Sequence, residues 1–250
     1  MYNRLLILSD SHLFGSRDQK LFGVNTYHSL QKLVSLIKDS EETYDLLVAS
    51  GDLSEDGHTR GYADFHESTQ GLAASNVWMK GNHDQFDNVP AELARNFIHK
   101  EWHMDPWNLI FLDTTLPGKD EGRLGEKEFH RLEAFLKRYT DGYVFIFMHH
   151  QPMDVGSDFI DVLGLVNKQD FWELTKTYQN IRGVLFGHVH QEIDTWLNGV
   201  RLLASPSTSM QFKPFSRELD FDQPTHGYRN LILNPDGSLE TEVVRIVADT

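Results

Sequence analysis

The sequence predicts an α/β fold, in which buried β-strands alternate with amphipathic helices along most of the chain. Five short apolar runs are bounded by glycine or polar residues, as is typical of strands buried on both faces. Between these runs, apolar residues recur at helical spacing, most clearly over Gly125–Tyr139. Beyond about residue 190 the pattern changes to mostly strands, with an irregular segment at Ser205–Phe215. We therefore expect one domain over residues 1–250, with an antiparallel C-terminal part.

The first half of the chain alternates strands with helices. A helix is expected to begin at about Thr26, which is a suitable N-cap. Pro90 is a suitable first residue for a later helix. The predicted strands are Leu5–Ser9, Tyr44–Ser50 and Asn76–Lys80, and the other predicted helices are Thr59–Ala74 and Pro90–Phe97.

The second half begins in the same way and ends in two hairpins. The dipeptide Asn198-Gly199 is a strong two-residue turn signal, so Asp194–Leu203 is expected to be a hairpin. Met153–Leu165 has no periodic pattern and is expected to be a loop that borders a pocket. The remaining predictions are strands at Asn108–Asp113, Gly142–Met148 and Gly183–Phe186, a helix at Asp170–Tyr178, and a second hairpin formed by Tyr228–Leu233 and Leu239–Ile246.

The composition is that of an ordinary globular protein, with 40% hydrophobic and 24% charged residues. The formal net charge of −14 argues against a nucleic-acid partner, which would favour a basic face. The chain contains no cysteine, so disulfides and thiolate metal sites are excluded. No apolar stretch approaches the ~20 residues of a membrane span, and no signal peptide is recognisable. A cytoplasmic protein without a membrane partner is therefore expected.

Asp, His and Asn residues, which commonly bind metals, directly follow the ends of five apolar runs. The carboxyl ends of neighbouring parallel strands meet at one edge of a sheet, so these side chains can converge there. Imidazole, carboxylate and amide ligands suit Mn²⁺, Fe or Zn²⁺ better than Mg²⁺. Seven such ligands are too many for one ion, but one shared carboxylate would make two sites of four. The motifs are Asp10-Ser-His12, Gly51-Asp52, Gly81-Asn82-His83-Asp84, His149-His150 and Gly187-His188-Val189-His190.

Chance is the alternative explanation, because the chain has 13 histidines and some pairs will arise at random. A single Asp-Ser-His carries no weight by itself. Five motifs in series, each at the end of an apolar run, favour a site. The histidines outside the motifs are given structural roles, and only His58 lies close to a motif. They are His28, His58, His66, His99, His103, His130 and His226.

The order and spacing of the five motifs resemble those of the calcineurin-like metallophosphoesterase superfamily. Further segments resemble the bacterial class III 3′,5′-cyclic AMP phosphodiesterases, over nearly the whole chain. This resemblance implies two packed mixed β-sheets flanked by helices, a four-layer αββα sandwich. The segments are Leu13-Phe14, Gly23-Val24-Asn25-Thr26-Tyr27, Gly51-Asp52-Leu53, His149-His150-Gln151-Pro152, Pro206-Ser207-Thr208 and Gln211-Phe212-Lys213-Pro214.

The resemblance also implies a ligand set for two divalent ions, Fe or Mn first and Zn as a further possibility. His149 is implied as the ligand of its pair, and His150 would then lie behind it or face the substrate. One ion would be held by Asp10, His12, Asp52 and His190, and the other by Asp52, Asn82, His149 and His188, with Asp52 as the bridge.

The implied reaction is hydrolysis of a small cyclic nucleotide, 3′,5′-cyclic AMP, to 5′-AMP by a hydroxide that two metal ions activate. His83 would stabilise the charge on the phosphate and protonate the leaving oxygen. Either Asp84 or Asp56 could orient His83, and the sequence does not choose between them. The residues expected to contact the substrate are His12, Asp52, Asn82, His83 and His190.

Other functions fit the same motifs. A member of this superfamily could act on another phosphodiester or on a pyrophosphate, as nucleotide-sugar pyrophosphatases, glycerophosphodiesterases and protein phosphatases do. A non-catalytic scaffold would share the fold, but the complete ligand set and His83 argue against it. A DNA nuclease is disfavoured by the acidic charge. The native metal pair, the preferred nucleobase and the oligomeric state do not follow from the sequence.

Overall fold

The computed structural model describes residues 1–222 and 225–246, and within these ranges the chain forms eleven strands and six α-helices. A single 3₁₀ turn covers Phe86–Asn88. The strands are β1 (Asn3–Leu8), β2 (Leu46–Ala49), β3 (Ser75–Trp78), β4 (Glu101–Met104), β5 (Trp107–Leu112), β6 (Tyr143–Met148), β7 (Ile181–Phe186), β8 (Ile193–Leu197), β9 (Val200–Ala204), β10 (Gly227–Leu233) and β11 (Leu239–Arg245). The helices are α1 (Thr26–Asp39), α2 (Thr59–Thr69), α3 (Ala91–Phe97), α4 (Glu126–Arg138), α5 (Asp158–Asp161) and α6 (Lys168–Thr175).

The strands form two mixed sheets, as expected. The first sheet has the order β11-β10-β1-β2-β3, and the second has the order β4-β5-β6-β7-β9-β8. The pairs β1–β2 and β2–β3 are parallel, and so are β5–β6, β6–β7 and β7–β9. In the C-terminal part, β10 is antiparallel to both β1 and β11 in the first sheet, and β8 is antiparallel to β9 in the second.

Alternation of side chains explains why the central strands are apolar throughout. In β1, Leu5 and Ile7 belong to the core between the two sheets, whereas Leu6 and Leu8 pack toward the helices on the outer face. In β6, Phe145 likewise faces the other sheet. Since successive side chains point to opposite faces, a strand covered on both sides must be apolar at every position. Two sheets with a shared core and outer helices are the predicted four-layer arrangement.

Several predicted boundaries differ from the structure. Asn25, rather than Thr26, caps α1, and its side chain accepts a hydrogen bond of 2.8 Å from the His28 backbone. The predicted loop Met153–Leu165 contains one helical turn, α5. Strand β4 was not predicted, because it is a partly exposed edge strand with no alternating pattern. The prediction of one domain over residues 1–250 stays a prediction, and its last four residues lie outside the described ranges.

The strand order brings the carboxyl ends of both sheets to the same edge of the sandwich. The Asp10 backbone donates to the Gly51 carbonyl at 3.1 Å, which joins the loops that follow β1 and β2. In the second sheet, the Gly187 backbone donates to the His149 carbonyl at 3.0 Å. All the metal-type motifs therefore leave the sheets on one side. Among the described helices, none combines the length and apolarity needed to cross a membrane.

One buried arginine joins the two sheets. Arg229 on β10 of the first sheet is only 2% exposed. Its guanidinium donates to the backbone carbonyls of Ala204, at 2.8 Å, and Ile193, at 2.9 Å, in the second sheet. A third bond of 2.9 Å reaches the Thr241 hydroxyl. These hydrogen bonds fix how the C-terminal strands cross between the sheets.

We predict that Arg229→Ala lowers the free energy of unfolding by about 3 kcal/mol, because it leaves buried carbonyl groups without a donor. Urea denaturation measures this loss. Arg138→Ala is the control, since the Arg138 side chain is 56% exposed and pairs with Glu101 at the surface. The control should leave the free energy of unfolding almost unchanged, because an exposed ion pair contributes little to stability. Equal losses in both variants would show that the buried arginine does not join the sheets in an important way.

Candidate metal centre

The first of two groups of ligand atoms comprises Asp10, His12 and His190, which are all buried. The Nε2 atoms of His12 and His190 lie 3.1 Å apart. The Nε2 atom of His190 is 3.5 Å from Oδ1 of Asp10. One donor atom from each residue lies within 4.8 Å of the others, as ligands of a single cation do.

The second group comprises Asp52, His149 and His188, which are also buried. One donor atom from each of these residues lies within 4.8 Å of the others. Oδ2 of Asp52 lies 3.2 Å from Nε2 of His149. Asn82 adds its Oδ1 atom, 3.2 Å from the same nitrogen of His149. The predicted ligands of the second ion therefore lie together.

Asp52 lies between the two groups. The same Oδ2 atom that approaches His149 is 3.8 Å from Nε2 of His12. One carboxylate thus faces both groups, as a bridging ligand must. The structure gathers all seven residues in the predicted partition.

Five of these residues have left-handed backbone conformations, which are uncommon outside glycine. Each such residue costs of order 1–3 kcal/mol and persists only where its surroundings fix it. Conformations of this kind cluster at active sites. The φ angles are 54° for Asp10, 47° for His12, 51° for Asp52, 64° for His188 and 48° for His190.

Glycines next to the ligands allow the loops to approach closely. A Cβ atom at Gly81 would lie 2.1 Å from Oδ1 of Asp52, and one at Gly51 would lie 2.2 Å from Nδ1 of His149. Real Cβ atoms do not come this near to other atoms. The glycines in these motifs are therefore required for packing the ligand loops, in addition to the turn at Gly51, where φ is 104°.

Hydrogen bonds on the outer side of three histidines fix the orientation of their rings. In each ring Nδ1 faces an oxygen outside the two groups, so that Nε2 faces the other ligands. Partners of this kind set the tautomer and orientation of metal-binding histidines. The pairs are His12 with Oε2 of Glu55 at 2.7 Å, His149 with the Ser50 carbonyl at 2.9 Å, and His190 with the Met210 carbonyl at 3.0 Å.

The electrostatics of the cluster suit cation binding. Burial disfavours a charged Asp52, but His149 and His12 outweigh this effect and hold the pKa of Asp52 well below its ordinary value. Burial opposes protonation of His149 as well, yet Asp52 and Asp10 raise its pKa to about 9. Burial and the nearby His150 hold the pKa of His188 well below its ordinary value. The site therefore presents ionised carboxylates and one imidazole that is already neutral.

The residues fit a pair of divalent cations. Nε2 of His188 is buried and has no hydrogen-bond partner among the residues that the structure describes. A buried nitrogen without a partner is costly in a folded protein. Two groups of oxygen and nitrogen donors that share one carboxylate oxygen match a dinuclear site, and the chemistry of the donors suits Fe, Mn or Zn.

Glu55 is a site residue that sequence reasoning missed. Its Oε2 atom lies 2.7 Å from Nδ1 of His12 and 3.1 Å from Nδ1 of His83. The prediction that Asp84 or Asp56 orients His83 is wrong. Asp84 instead accepts backbone hydrogen bonds from positions 53, 54 and 81, and Asp56 binds the backbone of positions 15 and 58. The signal for Glu55 was its place three residues after Asp52.

His150 lies behind the ligands and does not face the pocket. It is fully buried, with Nδ1 2.7 Å from the Thr114 hydroxyl and Nε2 3.1 Å from the Asp120 carbonyl. Burial and the neighbouring His149 lower its pKa to about 3. Of the two alternatives for His150, the structure therefore selects the supporting position. His58 caps α2 through its Nδ1 atom, which confirms a structural role for that residue.

The segment at positions 206–212 supports the ligands through hydrogen bonds. The hydroxyls of Ser207 and Ser209 both donate to the Asp10 carbonyl, at 2.8 and 3.0 Å. The ring of Phe212 stacks on His190, with centroids 4.3 Å apart. This segment carried part of the family resemblance, and its contacts show that it holds the loop after β1 in place.

A cavity of about 240 Å³ opens in front of the two groups. His83, with a side chain 34% exposed, lies at its edge together with Glu55. The opposite wall includes Phe159, Ile160 and Leu163 of the segment that was expected to border a pocket. The predicted substrate-contacting residues all line this cavity, namely His12, Asp52, Asn82, His83 and His190.

Comparison with protein families identifies the family to which the chain belongs. The model of the calcineurin-like phosphoesterase family matches residues 3–192, which include every candidate ligand. The chain belongs to this family. Its members use a dinuclear metal centre, and the two groups of ligand atoms described above correspond to such a centre.

Similar proteins cover nearly the full length of the chain. The chain is 36% identical over 243 residues to the 3′,5′-cyclic adenosine monophosphate phosphodiesterase CpdA of Pseudomonas aeruginosa, covering 97% of this chain and 89% of that protein. It is 34% identical over 250 residues to the enzyme of the same name from Escherichia coli strain K12, covering 99% and 90%. A dimetal phosphatase from Danio rerio shares the fold with a TM-score of 0.64 at 13% identity, over 97% of this chain and 98% of that one.

We predict that Gly81→Ala weakens metal binding by about 10- to 100-fold, because the added Cβ displaces the Asp52 carboxylate. Equilibrium dialysis against Mn²⁺ followed by metal analysis measures the loss. Gly125→Ala is the control, since a Cβ there meets no atom within 4 Å. Circular dichroism checks that both variants fold. A folded Gly81→Ala variant that binds two ions as tightly as the wild type would contradict the packing argument.

Proposed function

We propose that this protein hydrolyses 3′,5′-cyclic AMP to 5′-AMP with the help of two divalent metal ions. The observation that carries the proposal is the Asp52 carboxylate oxygen that faces both ligand groups at the floor of the cavity. The names of the similar proteins from Pseudomonas aeruginosa and Escherichia coli support the choice of substrate. The similarity extends over most of this chain and of both relatives, which supports assigning the whole activity to this protein.

The seven gathered residues would hold the two ions. Mn and Fe fit the mixed imidazole, carboxylate and amide donors best, and Zn fits as a further choice. When bound, such a pair supplies a water deprotonated near neutral pH and offsets negative charge on the phosphoryl oxygens. The proposed division is Asp10, His12, Asp52 and His190 for one ion, and Asp52, Asn82, His149 and His188 for the other.

His83 is proposed as the catalytic acid. Its backbone donates to Oδ1 of Asp52 at 2.9 Å, which holds the residue beside the ligands. Nδ1 faces Glu55, whereas Nε2 has no hydrogen bond to the described residues and remains for the substrate. During hydrolysis water adds to phosphorus and the bond from phosphorus to the 3′ oxygen breaks. A proton on Nε2 of His83 would pass to that oxygen as it leaves.

Glu55 would hold the ring of His83 in the correct orientation. Its carboxylate is near enough to accept a hydrogen bond from Nδ1 of His83 while it also contacts His12. A hydrogen bond at one ring nitrogen fixes the orientation of the ring and leaves the other nitrogen directed away from the partner.

The predicted cytoplasmic location and the absence of a nucleic-acid or membrane partner stay predictions.

Hydrolysis assays on the metal-loaded protein test the proposed function. The substrates are 3′,5′-cyclic AMP, 2′,3′-cyclic AMP and bis(p-nitrophenyl) phosphate, with 5′-AMP and 3′-AMP separated by chromatography. We expect 5′-AMP from the first substrate at the highest kcat/KM, and loss of this activity on dialysis against a chelator. Activity confined to the artificial aryl ester would refute the proposed substrate.

We predict that His83→Ala retains both metal ions and lowers kcat by about 10²–10⁴-fold, because it removes the proton donor but no ligand. Metal analysis and steady-state kinetics on one preparation check both statements. Loss of an ion from this variant would instead place His83 among the ligands.

The matched variant Glu55→Gln separates positioning from catalysis. It should slow turnover less than His83→Ala, because the neutral amide still occupies the same place. Since Glu55 is proposed to act through His83, the double variant should be no slower than His83→Ala alone. A further large loss in the double variant would show that Glu55 acts by another route, such as its contact with His12.

A further inference from the structure

Phe22 and Phe212 line the cavity, and Phe221 connects them in a series of aromatic rings. Phe212 stacks on the candidate ligand His190 at 4.3 Å between centroids, and Phe221 follows at 6.0 Å from Phe212. Phe22 completes the series, 4.8 Å from Phe221 with the two planes tilted by 45°. The series of ring contacts therefore leads from the candidate ligand His190 to two exposed rings beside the cavity.

The outer two rings are exposed and belong to none of the three apolar cores of the described residues. Phe22 is 59% exposed and Phe221 is 37% exposed. Two adjacent exposed phenylalanines form an apolar surface that water solvates poorly. Their contribution to the stability of the fold is correspondingly small, so a different explanation for their position is needed.

Phe22 is held outward by a tight turn with a strained backbone. Leu21 and Val24 exchange two backbone hydrogen bonds of 2.9 Å, and Phe22 lies between them with φ at 48°. A bulky residue in this conformation is a genuine outlier. The strain is of the kind that functional sites store, and here it presents an aromatic ring at the cavity.

Phe221 is positioned by a separate loop that folds back on itself. Lys213 donates its backbone N–H to the Asp220 carbonyl at 2.9 Å, and their side chains pair at 2.8 Å. The backbone of position 222 donates to the Gln211 carbonyl at 3.0 Å. The chain thus returns Phe221 to the side of Phe212. Two independent loops place the outer rings in contact with each other.

We propose that Phe22 and Phe221 form the stacking surface for the nucleobase, and hence help to select nucleoside phosphates among phosphodiesters. This inference rests on the proposed function, which places the phosphate at the metal ligands and His83. The nucleobase of a bound nucleotide must then extend toward the mouth of the cavity. A planar base stacks favourably on an aromatic ring whichever base it is, so the surface suits purine nucleotides without reading their edges.

Calorimetric titration of the metal-loaded protein tests this assignment without turnover. The probes are 5′-AMP and ribose 5-phosphate, which share the phosphate and sugar and differ by the base. Phe22→Ala and Phe221→Ala should each raise the Kd of 5′-AMP by about 5- to 100-fold, the range expected for loss of one base-stacking contact. The Kd of ribose 5-phosphate should change by less than about twofold, since its contacts lie at the ligands.

Two further variants sharpen the result. Phe22→Trp retains an aromatic face and should bind 5′-AMP as the wild type does. Trp196→Ala removes an aromatic ring that is 64% exposed on β8 and does not line the cavity, so both affinities should stay unchanged. Equal weakening of both probes, or unaltered binding of 5′-AMP in both alanine variants, would overturn the inference.

The outcome separates this inference from the proposed function. A wild-type enzyme that hydrolyses 3′,5′-cyclic AMP while its alanine variants bind 5′-AMP normally would retain the function and lose the stacking surface. A wild-type enzyme that binds 5′-AMP through Phe22 but does not hydrolyse 3′,5′-cyclic AMP would retain the surface and lose the proposed substrate.

Discussion

The shared approach of His12 and His149 to one carboxylate oxygen of Asp52 is the constraint on which the rest of the structure depends. Asp52 is 1% exposed, so its charge has almost no access to water. A buried carboxylate is tolerated only where positive charge or hydrogen bonds compensate it. The buried negative charge of the cluster needs a compensating positive charge. Bound metal ions can supply that charge in place of protons, which makes the cluster a strong site for cations.

The fold meets this demand by assembling loops from two sheets that share one core. No single strand could supply seven donors, but the parallel strands of both sheets end at the same edge. The cost appears in the backbone, where Asp10 and Asp52 adopt left-handed conformations of order 1–3 kcal/mol each. Hydrogen bonds from Ser207 and Ser209 to the Asp10 carbonyl hold one of these loops. The strain is therefore confined to the loops and does not reach the strands.

The convergence of the candidate ligands could be predicted from the sequence because they combine two local signals, an apolar run and a metal-type side chain at its end. Glu55 could not be found in this way, since its role depends on the approach of His12 and His83 from separate loops. The contact of His190 with the Met210 carbonyl could not be predicted either, because every residue type has a backbone carbonyl. Strand β4 lacked any periodic signal, as its residues lie at a partly exposed edge. Local sequence patterns do not reveal these contacts, because the contacts join segments that are distant along the chain.

The arrangement of the cavity separates the chemistry from the choice of substrate. The candidate ligands lie in loops at the strand ends, where glycines and buried hydrogen bonds allow little change. Phe22 and Phe221 lie on two exposed loops, and neither touches a candidate ligand directly. Phe212 is the link between the two regions, because it stacks on His190 and also packs beside Phe221. If the outer rings hold the base as proposed, replacing them would alter which ester is bound, whereas replacing Phe212 would also remove the ring that stacks on the candidate ligand His190.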